Sequence, residues 1–482
     1  MGELLEYYHI FMDRSNYLRK TSNIGGASSS YDRTSPADIE RYAKKLVGLT
    51  TRKFIPQVII DKFEKNKSVS LKGVLGQLIE EYYFGTKANN YKGPDFEQAG
   101  VELKTTPVKK LKNGNYSSKE RLVLGIIDYF KMASEKFDES DFYKKNEKLL
   151  LIFYLYKDDK NFLDFIFKLA KLWKIEGEDL RIIKDDWLKI RNKIKDGLAH
   201  EISEGDTLYL GACTKGANAE STRTQPFSGQ PAKQRALSLK QGFMTDLFNR
   251  FYIAQGKKKV DYDSERVIKN IDEYEDGFTF EDLVIRRFNG YIGKTTDEIY
   301  KKLGLDINKH SKQFYSELAR RMMGVNTKKI EEFEKAGVVM KTIRLKKSGK
   351  TKEDMSFPAF EYKEIVEEKW DESILKEQME QRFFFVVYQY DDIGNLIFKK
   401  VMFWTIPISD LDFGVKNVWE KTITAIKNGK YDELPKKSEN LVSHIRPHAK
   451  NKKDTFETPQ GGREVKRCFW LNGGYITKVV RS

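Results

Sequence analysis

The sequence predicts an α/β or α+β protein that contains two copies of one fold, each a mixed sheet flanked by helices. Segments with strand character alternate with segments of helical spacing along the 482 residues, a mixture typical of layered α/β and α+β cores. Residues 96–105 (FEQAGVELKT) and 333–342 (FEKAGVVMKT) are also identical at seven of ten positions without a gap. This match indicates a duplication rather than a solenoid.

The charge of the chain gives the first indication of function. It has 87 Lys and Arg against 71 Asp and Glu, a formal net charge of +16. A globular protein this basic usually binds a polyanion such as nucleic acid, although a merely soluble basic protein stays an alternative. Hydrophobic residues make up 39% of the chain, which is enough to build buried cores.

Cysteine usage and the absence of targeting signals exclude several classes of protein. The two cysteines, Cys213 and Cys468, are far apart and form no C-x-x-C pair, so neither a disulfide framework nor a structural zinc site is expected. Residues 1–15 lack the basic start and apolar run of a signal peptide. The chain also lacks an apolar stretch of about eighteen residues. We therefore expect a cytoplasmic protein.

The first elements of the chain are predicted from local signals. Residues 25–35 (GGASSSYDRTS) are typical of a loop, and Ser35 followed by Pro36 predicts the start of a helix. Apolar residues at helical spacing predict a helix over residues 72–84, with Glu80 away from the main apolar stripe. A polar loop then leads to Pro94-Asp95 and to a strand beginning near Gly100.

The remaining elements and the domain division follow from the same patterns. Residues 255–259 (QGKKK) have the composition of a linker, which divides the chain into domains at 1–255 and 260–482. Further strands are predicted at residues 148–156, 207–212, 382–388 and 396–406, and a helix around residues 161–174.

The strand near Gly100 carries residues that are suited to cutting a phosphodiester bond. Side chains alternate along a strand, so Glu102 and Lys104 share one face while Val101 and Leu103 face a core. Asp95 precedes the strand, where a bend can bring it near Glu102. Carboxylates hold Mg²⁺, and a lysine beside the metal orients water or stabilises the pentacovalent phosphate. Glu80 is a plausible fourth member of this catalytic group.

The spacing D-x6-E-x-K is a weak signal in a chain with so many charged residues. Asp354, Glu361 and Lys363 repeat it, and we discount them because no Gly-Val pair and no Glu-bearing helix precede them. A solvated Glu–Lys surface pair is the alternative for Glu102 and Lys104.

The second copy loses at least one central carboxylate. Asp95 aligns with Glu332, Glu102 with Val339, and Lys104 with Lys341. Either Ala319 or Glu317 faces Glu80, depending on a short gap. We therefore expect the second copy to bind DNA or to regulate rather than to cut.

Four blocks in order resemble the MutH-type nucleases of the PD-(D/E)xK superfamily. The segment from Lys72 through Gly76 to Glu80 resembles their active-site helix, and residues 95–107 resemble their metal-binding strand. Residues 209–219 (YLGACTKGANA) are similar to the segment of that family that enters the DNA groove. Residues 237–243 (LSLKQGF) match the block that follows.

The chain as a whole is similar to two-domain type II restriction enzymes that cut GATC. The resemblance implies a Mg²⁺-dependent endonuclease that cleaves double-stranded DNA 5′ of the G and leaves four-base overhangs. Two departures stand out. The MutH pattern has Arg-Pro where this chain has Cys213-Thr214, and Met244 replaces a tyrosine associated with sensing adenine methylation. These departures argue against a mismatch-repair enzyme that senses hemimethylated DNA.

The residues that we expect to contact DNA are Lys215, Asn218, Arg235 and Lys240 in the first half, and Arg446 and His448 in the second. Lys215 suits a guanine or phosphate contact, and Asn218 either bonds a base or closes the loop. Arg235 and Lys240 are expected to contact phosphates. Lys145 is either an accessory active-site lysine or a solvated one.

GATC is palindromic, and one chain carries one expected catalytic site. Cutting both strands therefore needs a homodimer or two sequential nicks, and the second half could engage another site. Two other functions stay open, a mismatch-repair nicking enzyme and a sequence-specific DNA-binding protein without catalysis.

Overall fold

The computed structural model describes residues 31–65, 73–86, 93–158, 161–216, 221–256, 263–274 and 277–481. It is a mixed α/β structure of several sheets flanked by helices, which confirms the predicted fold class. The predicted helix start is also confirmed, since α1 spans Pro36–Ala43 and the Ser35 side chain accepts from the backbone N–H of Asp38. None of the described helices combines the length and apolar character that crossing a bilayer requires.

The central sheet of the first half has the order β2-β1-β4-β5. Strand β1 pairs parallel with β4, and β5 pairs antiparallel with β4. Its strands are β1 Glu102–Lys110, β2 Tyr116–Ser118, β4 Lys148–Leu155 and β5 Ile166–Lys174. A second sheet has the order β3-β9-β6, beside a β7-β8 hairpin. The strands of this sheet are β3 Leu122–Ile126, β6 Leu210–Thr214 and β9 Arg235–Leu239, and those of the hairpin are β7 Thr222–Gln225 and β8 Ser228–Lys233.

The second half repeats this arrangement. A three-stranded sheet of order β12-β14-β15 again joins a parallel pair to an antiparallel pair. A sheet of order β13-β19-β16 and a β17-β18 hairpin follow it. The strands of this half are β10 Ser264–Glu265, β11 Lys329–Ile330, β12 Val339–Leu345, β13 Met355–Ala359, β14 Phe383–Tyr390, β15 Leu396–Trp404, β16 Ser443–Pro447, β17 Thr455–Glu457, β18 Arg463–Val465 and β19 Arg467–Leu471.

The helices flank these sheets. Those of the first half are α2 Gln57–Lys65, α3 Val74–Leu78, α4 Tyr129–Ser134, α5 Asp141–Asn146, α6 Gly177–Lys195 and α7 Gln241–Ala254. Those of the second half are α8 Phe280–Arg286, α9 Thr296–Lys302, α10 Phe314–Met322, α11 Glu331–Ala336, α12 Tyr362–Ile365, α13 Ile374–Met379, α14 Lys416–Lys427 and α15 Gly473–Arg481.

A further repeated segment supports the duplication. Residues 135–140 (EKFDES) and 368–373 (EKWDES) differ at one position. In each copy a 3₁₀ turn precedes a helix, and the Ser140 or Ser373 side chain caps that helix. The same short sequence thus builds the same local structure twice, which is what a duplicated fold requires.

The helix predicted around residues 161–174 is wrong, because β5 occupies residues 166–174. Phe167 and Ala170 pack into one hydrophobic core, while Leu169 and Trp173 pack into another. A strand that is covered on both faces has no polar alternation, so its apolar spacing can imitate that of a helix.

One hydrophobic core joins the two halves. It runs from Val108 in the first half to Val401 in the second. Smaller cores lie under the N-terminal helices and within the second half. Residues 257–259 of the predicted linker lie outside the described residues. The division into domains at 1–255 and 260–482 therefore stays a prediction.

Candidate active site

Helix α3 brings Glu80 toward strand β1. The helix begins after Gly73, which has φ +85°, and continues as a π-helical turn over Ile79–Tyr83. Residue 72 of the predicted helix lies outside the described residues. A Cβ on Gly76 would lie 3.4 Å from the Thr105 hydroxyl, so the helix packs directly on the strand. Glu80 lies within the π turn, an irregularity that is common at functional sites.

Two reciprocal hydrogen bonds hold Asp95 and Glu102 together. The Asp95 carboxylate accepts from the backbone N–H of Leu103 at 2.8 Å, and the Glu102 carboxylate accepts from the backbone N–H of Asp95 at 3.1 Å. Between them the chain reverses through Gly100, whose φ of +63° suits glycine. The predicted bend before the strand is therefore present.

Two lysines face the Glu102 carboxylate. Glu102 is 1% exposed, and Lys104 Nζ lies 2.5 Å and Lys145 Nζ 3.4 Å from its Oε1 atom. Val101 and Leu103 are buried in the core on the opposite face, as the alternation predicted. A solvated surface pair is thus excluded for Glu102 and Lys104. The structure brings Lys145 to the same carboxylate.

Burial and neighbouring carboxylates raise the pKa of two carboxyl groups of this site. Burial, and then the neighbouring Asp95, raises the pKa of Glu80 to about 7. Burial, and then the neighbouring Glu102, raises the pKa of Asp95 to about 6. Each deprotonated carboxylate is therefore destabilised by the next, and a cation placed among them would relieve this repulsion.

The donor set fits a hard divalent cation, because three carboxylates supply the oxygen ligands that such ions prefer. In the part of the chain that the structure describes, no three Asp, Glu, His or Cys side chains already converge on one point as a formed metal site. Lys104 and Lys145 supply the positive charge beside Glu102 instead. Binding of a metal at these carboxylates therefore requires side-chain movements.

The described residues of the second copy form no equivalent carboxylate cluster. Val339 takes the position of Glu102 in its sheet, since Val339 pairs with Phe383 as Glu102 pairs with Leu149. Glu332, which aligns with Asp95, is fully buried and accepts from the backbone N–H groups of Val267 and Ile268. Its carboxylate therefore holds the backbone at Val267 and Ile268 in place.

The other D-x6-E-x-K match does not form a site either. Asp354 accepts from the Gly473 N–H and pairs with Lys437 and Arg446. Lys363 instead pairs with the exposed Glu457.

Two residues that were expected to contact phosphates bind backbone carbonyls in the structure. Arg235 is 4% exposed and donates to the Ala212 carbonyl at 2.7 Å. Lys240 donates to the Thr207 carbonyl and lies 3.5 Å from that of Ala336. Both cations stabilise backbone oxygens, so in this conformation neither is available to a phosphate. The sequence did not reveal this, because the acceptors come from distant segments.

The segments expected to enter DNA grooves occupy equivalent strand ends in the two halves. Lys215 is exposed just after β6, and Asn218 lies outside the described residues. Arg446 in β16 stacks on the Trp470 ring at 4.0 Å and pairs with Asp354 at 3.2 Å. His448 Nδ1 lies 2.8 Å from Cys468 Sγ. The supporting roles of Trp470 and Asp354 were missed, because no spacing in the sequence links them to Arg446.

Comparisons with known proteins identify the family. A family model described as "DNA mismatch repair enzyme MutH" matches residues 84–186 and 322–413, one region in each half. The type II restriction enzyme Sau3AI of Staphylococcus aureus is 36% identical over 83% of this chain and 91% of its own length.

MutH mismatch repair proteins are more distant and match part of the chain. That of Buchnera aphidicola is 26% identical over 34% of this chain and 71% of its own length, and that of Vibrio campbellii is 24% identical over 45% and 95%. Nucleases of this superfamily generally use a divalent metal and act on DNA. The chain belongs to the MutH-like family of type II restriction endonucleases.

Proposed function

We propose that this endonuclease hydrolyses both strands of double-stranded DNA at GATC, 5′ of the G, with Mg²⁺ as its cofactor. One observation carries the catalytic assignment. Glu80, Asp95 and Glu102 lie close enough to perturb one another, and two lysines contact the same cluster. The match to Sau3AI along most of the chain supports cutting of both strands rather than nicking.

Asp95 and Glu102 would hold the cation, with Glu80 as a third donor. When bound there, a divalent cation neutralises charge that develops on the phosphate and lowers the pKa of bound water. The reciprocal hydrogen bonds between Asp95 and the strand fix the two carboxylates relative to each other. This preorganisation limits the movement needed to form the site.

Lys104 is placed to act on the reacting atoms. It lies on the same face of β1 as Glu102 and is only partly buried. As a cation beside the scissile phosphate, it would orient the attacking water and stabilise the pentacovalent phosphate. Lys145 approaches the same carboxylate from α5, and we assign it to positioning Glu102.

Recognition of DNA is assigned to the exposed segment that follows β6. Lys215 is exposed and would contact a guanine edge or a phosphate, with Asn218 beside it in sequence. With a net charge of +16, binding should weaken steeply as salt increases.

Cutting of both strands is assigned to two chains. Within the described parts of the chain the carboxylate cluster occurs in the first half only, and GATC reads identically on both strands, so a homodimer on DNA supplies two sites. Arg446 and His448 lie at the corresponding strand end in the second half. We assign them to engaging another GATC site. Because its substrate is DNA, we place the enzyme in the cytoplasm.

Digestion of a supercoiled plasmid with one GATC site tests this function. We expect linear DNA with four-base 5′ overhangs when Mg²⁺ is present and no cleavage when it is chelated. Unmethylated and adenine-methylated plasmids should be compared in parallel. Accumulation of open circles without linear product would favour a nicking enzyme, and binding without any cleavage would favour a non-catalytic protein.

Binding of metal should release protons at mildly acidic pH. The raised pKa values of Glu80 and Asp95, about 7 and about 6, mean that near pH 6 Glu80 is mostly protonated and Asp95 is about half protonated when no metal is bound. A cation must displace these protons, so metal affinity should fall as the pH falls through this range. Calorimetric titration with Mg²⁺ in two buffers of different ionisation enthalpy should show proton release at pH 6 and little at pH 8.

Glu80 and Asp95 also determine how the stability of the metal-free protein changes with pH. Their folded-state pKa values lie above those of an unfolded chain, about 4. The folded state therefore binds protons more tightly, and its stability should decrease as the pH rises from about 4 to 7. Substitution of Glu80 by glutamine should reduce both this decrease and the proton release. Equal release by this variant and the wild type would contradict the assignment.

A further inference from the structure

The second half contains a cavity of about 170 Å³ between β12 and the start of β13. The strand that lines it, β12, is the counterpart in this half of the catalytic strand β1. The cationic and hydroxyl-bearing side chains among its lining residues are Lys341, Arg344, Lys352, Thr342, Thr351 and Ser356. Such a lining suits an anion that can accept several hydrogen bonds.

The surroundings of Lys341 differ from those of its counterpart in the first half. It aligns with Lys104, which contacts the Glu102 carboxylate, but Val339 replaces that glutamate. Among the described residues Lys341 has no carboxylate partner, and its Nζ lies 5.9 Å from the centroid of the Phe357 ring. Burial lowers the pKa of this amine. An anion in the cavity would restore the missing counter-charge.

The carboxylates that line the cavity are already paired. Glu353 contacts Arg344, and Asp354 contacts Lys437 and Arg446. The Glu353 side chain is 62% exposed, so its pair with Arg344 contributes little and can be exchanged for another anion. The cavity therefore keeps an excess of positive charge.

We propose that this cavity binds a backbone phosphate of a second DNA duplex directly through Lys341, without a metal. The inference rests on the proposed engagement of another site by the second half. Loss of the carboxylate at Val339 removes the means to hold a metal and frees the lysine for the phosphate. The second half thus holds its own duplex through an amine, at the position that corresponds to the metal site with which the first half cuts DNA.

Calorimetric titration of the full chain with a short GATC duplex, in EDTA, tests the proposal. The wild type should show two binding events, one for each half of the chain. Lys341→Met should weaken one event at least about tenfold and lower its salt slope by about one. Lys341→Arg should largely preserve that event. Lys399→Met removes an exposed charge from β15 and should change neither event. Retention of the other event shows that the variants are folded.

The outcomes separate this inference from the function on which it rests. One event in the wild type would overturn both engagement of a second duplex and the cavity assignment. Two events that Lys341→Met leaves unchanged, while the Arg446→Ala and His448→Ala double variant loses one, would overturn the cavity assignment alone. Inorganic phosphate should compete weakly with the Lys341-dependent event. If phosphate binding depends on Lys341 but duplex binding does not, the cavity serves a free anion and the proposal fails.

Discussion

Substitution of Glu102 by glutamine should reduce the rate of DNA cleavage by about a thousandfold and leave DNA binding intact. Glu102 is buried, held by Asp95 and faced by two lysines, so glutamine keeps its shape but removes the charge that holds a cation. Stabilisation by a metal is worth several kcal/mol, and about 4 kcal/mol corresponds to roughly three orders of magnitude in rate. Single-turnover cleavage of a GATC duplex measures the rate.

Glu139→Gln is the matched control, because Glu139 is an exposed glutamate in the same half. It should cleave at the wild-type rate. Fluorescence anisotropy with the same duplex should show that the Glu102 variant binds at least as tightly as the wild type, since two lysines lose their carboxylate partner. A loss of cleavage smaller than tenfold would show that Glu102 is not a metal ligand.

Substitution of Lys335 by methionine should destabilise the protein by about 3–5 kcal/mol. Lys335 is 2% exposed, and its amine lies 2.8 Å from Glu331 and 3.6 Å from both Asp179 and Asp246. These partners come from both halves, so the network joins α11 to α6 and α7. Arg250 still pairs with Asp179 and Asp246, but removing the lysine takes away the buried cation that faces all three carboxylates, and breaking a buried network in this way is costly.

The midpoint of urea unfolding, followed by fluorescence, measures this effect. Lys329→Met is the matched control, because its pair with Glu334 has side-chain exposures of 56% and 46% and should contribute less than about 1 kcal/mol. Adding Asp246→Asn to the Lys335 variant should recover part of the stability. A Lys335 variant as stable as its control would mean that the halves do not depend on this network.

The local sequence pattern was sufficient to predict which side chains of the catalytic strand face the core. The alternation along residues 101–104 predicted that Val101 and Leu103 enter a core while Glu102 and Lys104 share the other face, and the structure confirms this. Ser35 and Pro36 likewise predicted the start of α1. These features depend on neighbouring residues, whose spacing determines directly which side of an element is apolar.

Contacts between distant segments required the tertiary structure. The sequence predicted a helix where β5 lies, because burial of both faces removed the alternation that marks a strand. It also assigned Arg235 and Lys240 to DNA, whereas both donate to backbone carbonyls. A charged residue looks the same in sequence whether its partner is solvent, DNA or a buried oxygen.

The sequence by itself therefore determined that two copies of a mixed-sheet fold are present and that the first has the residues for a metal-dependent nuclease. Only the tertiary structure decided how these residues are arranged. It placed Lys145 beside Glu102, joined the halves through Lys335 and left Lys341 without a carboxylate partner among the residues it describes. The physical reason is that periodicity records the burial of each element, whereas electrostatic partners are set by how separate elements pack together.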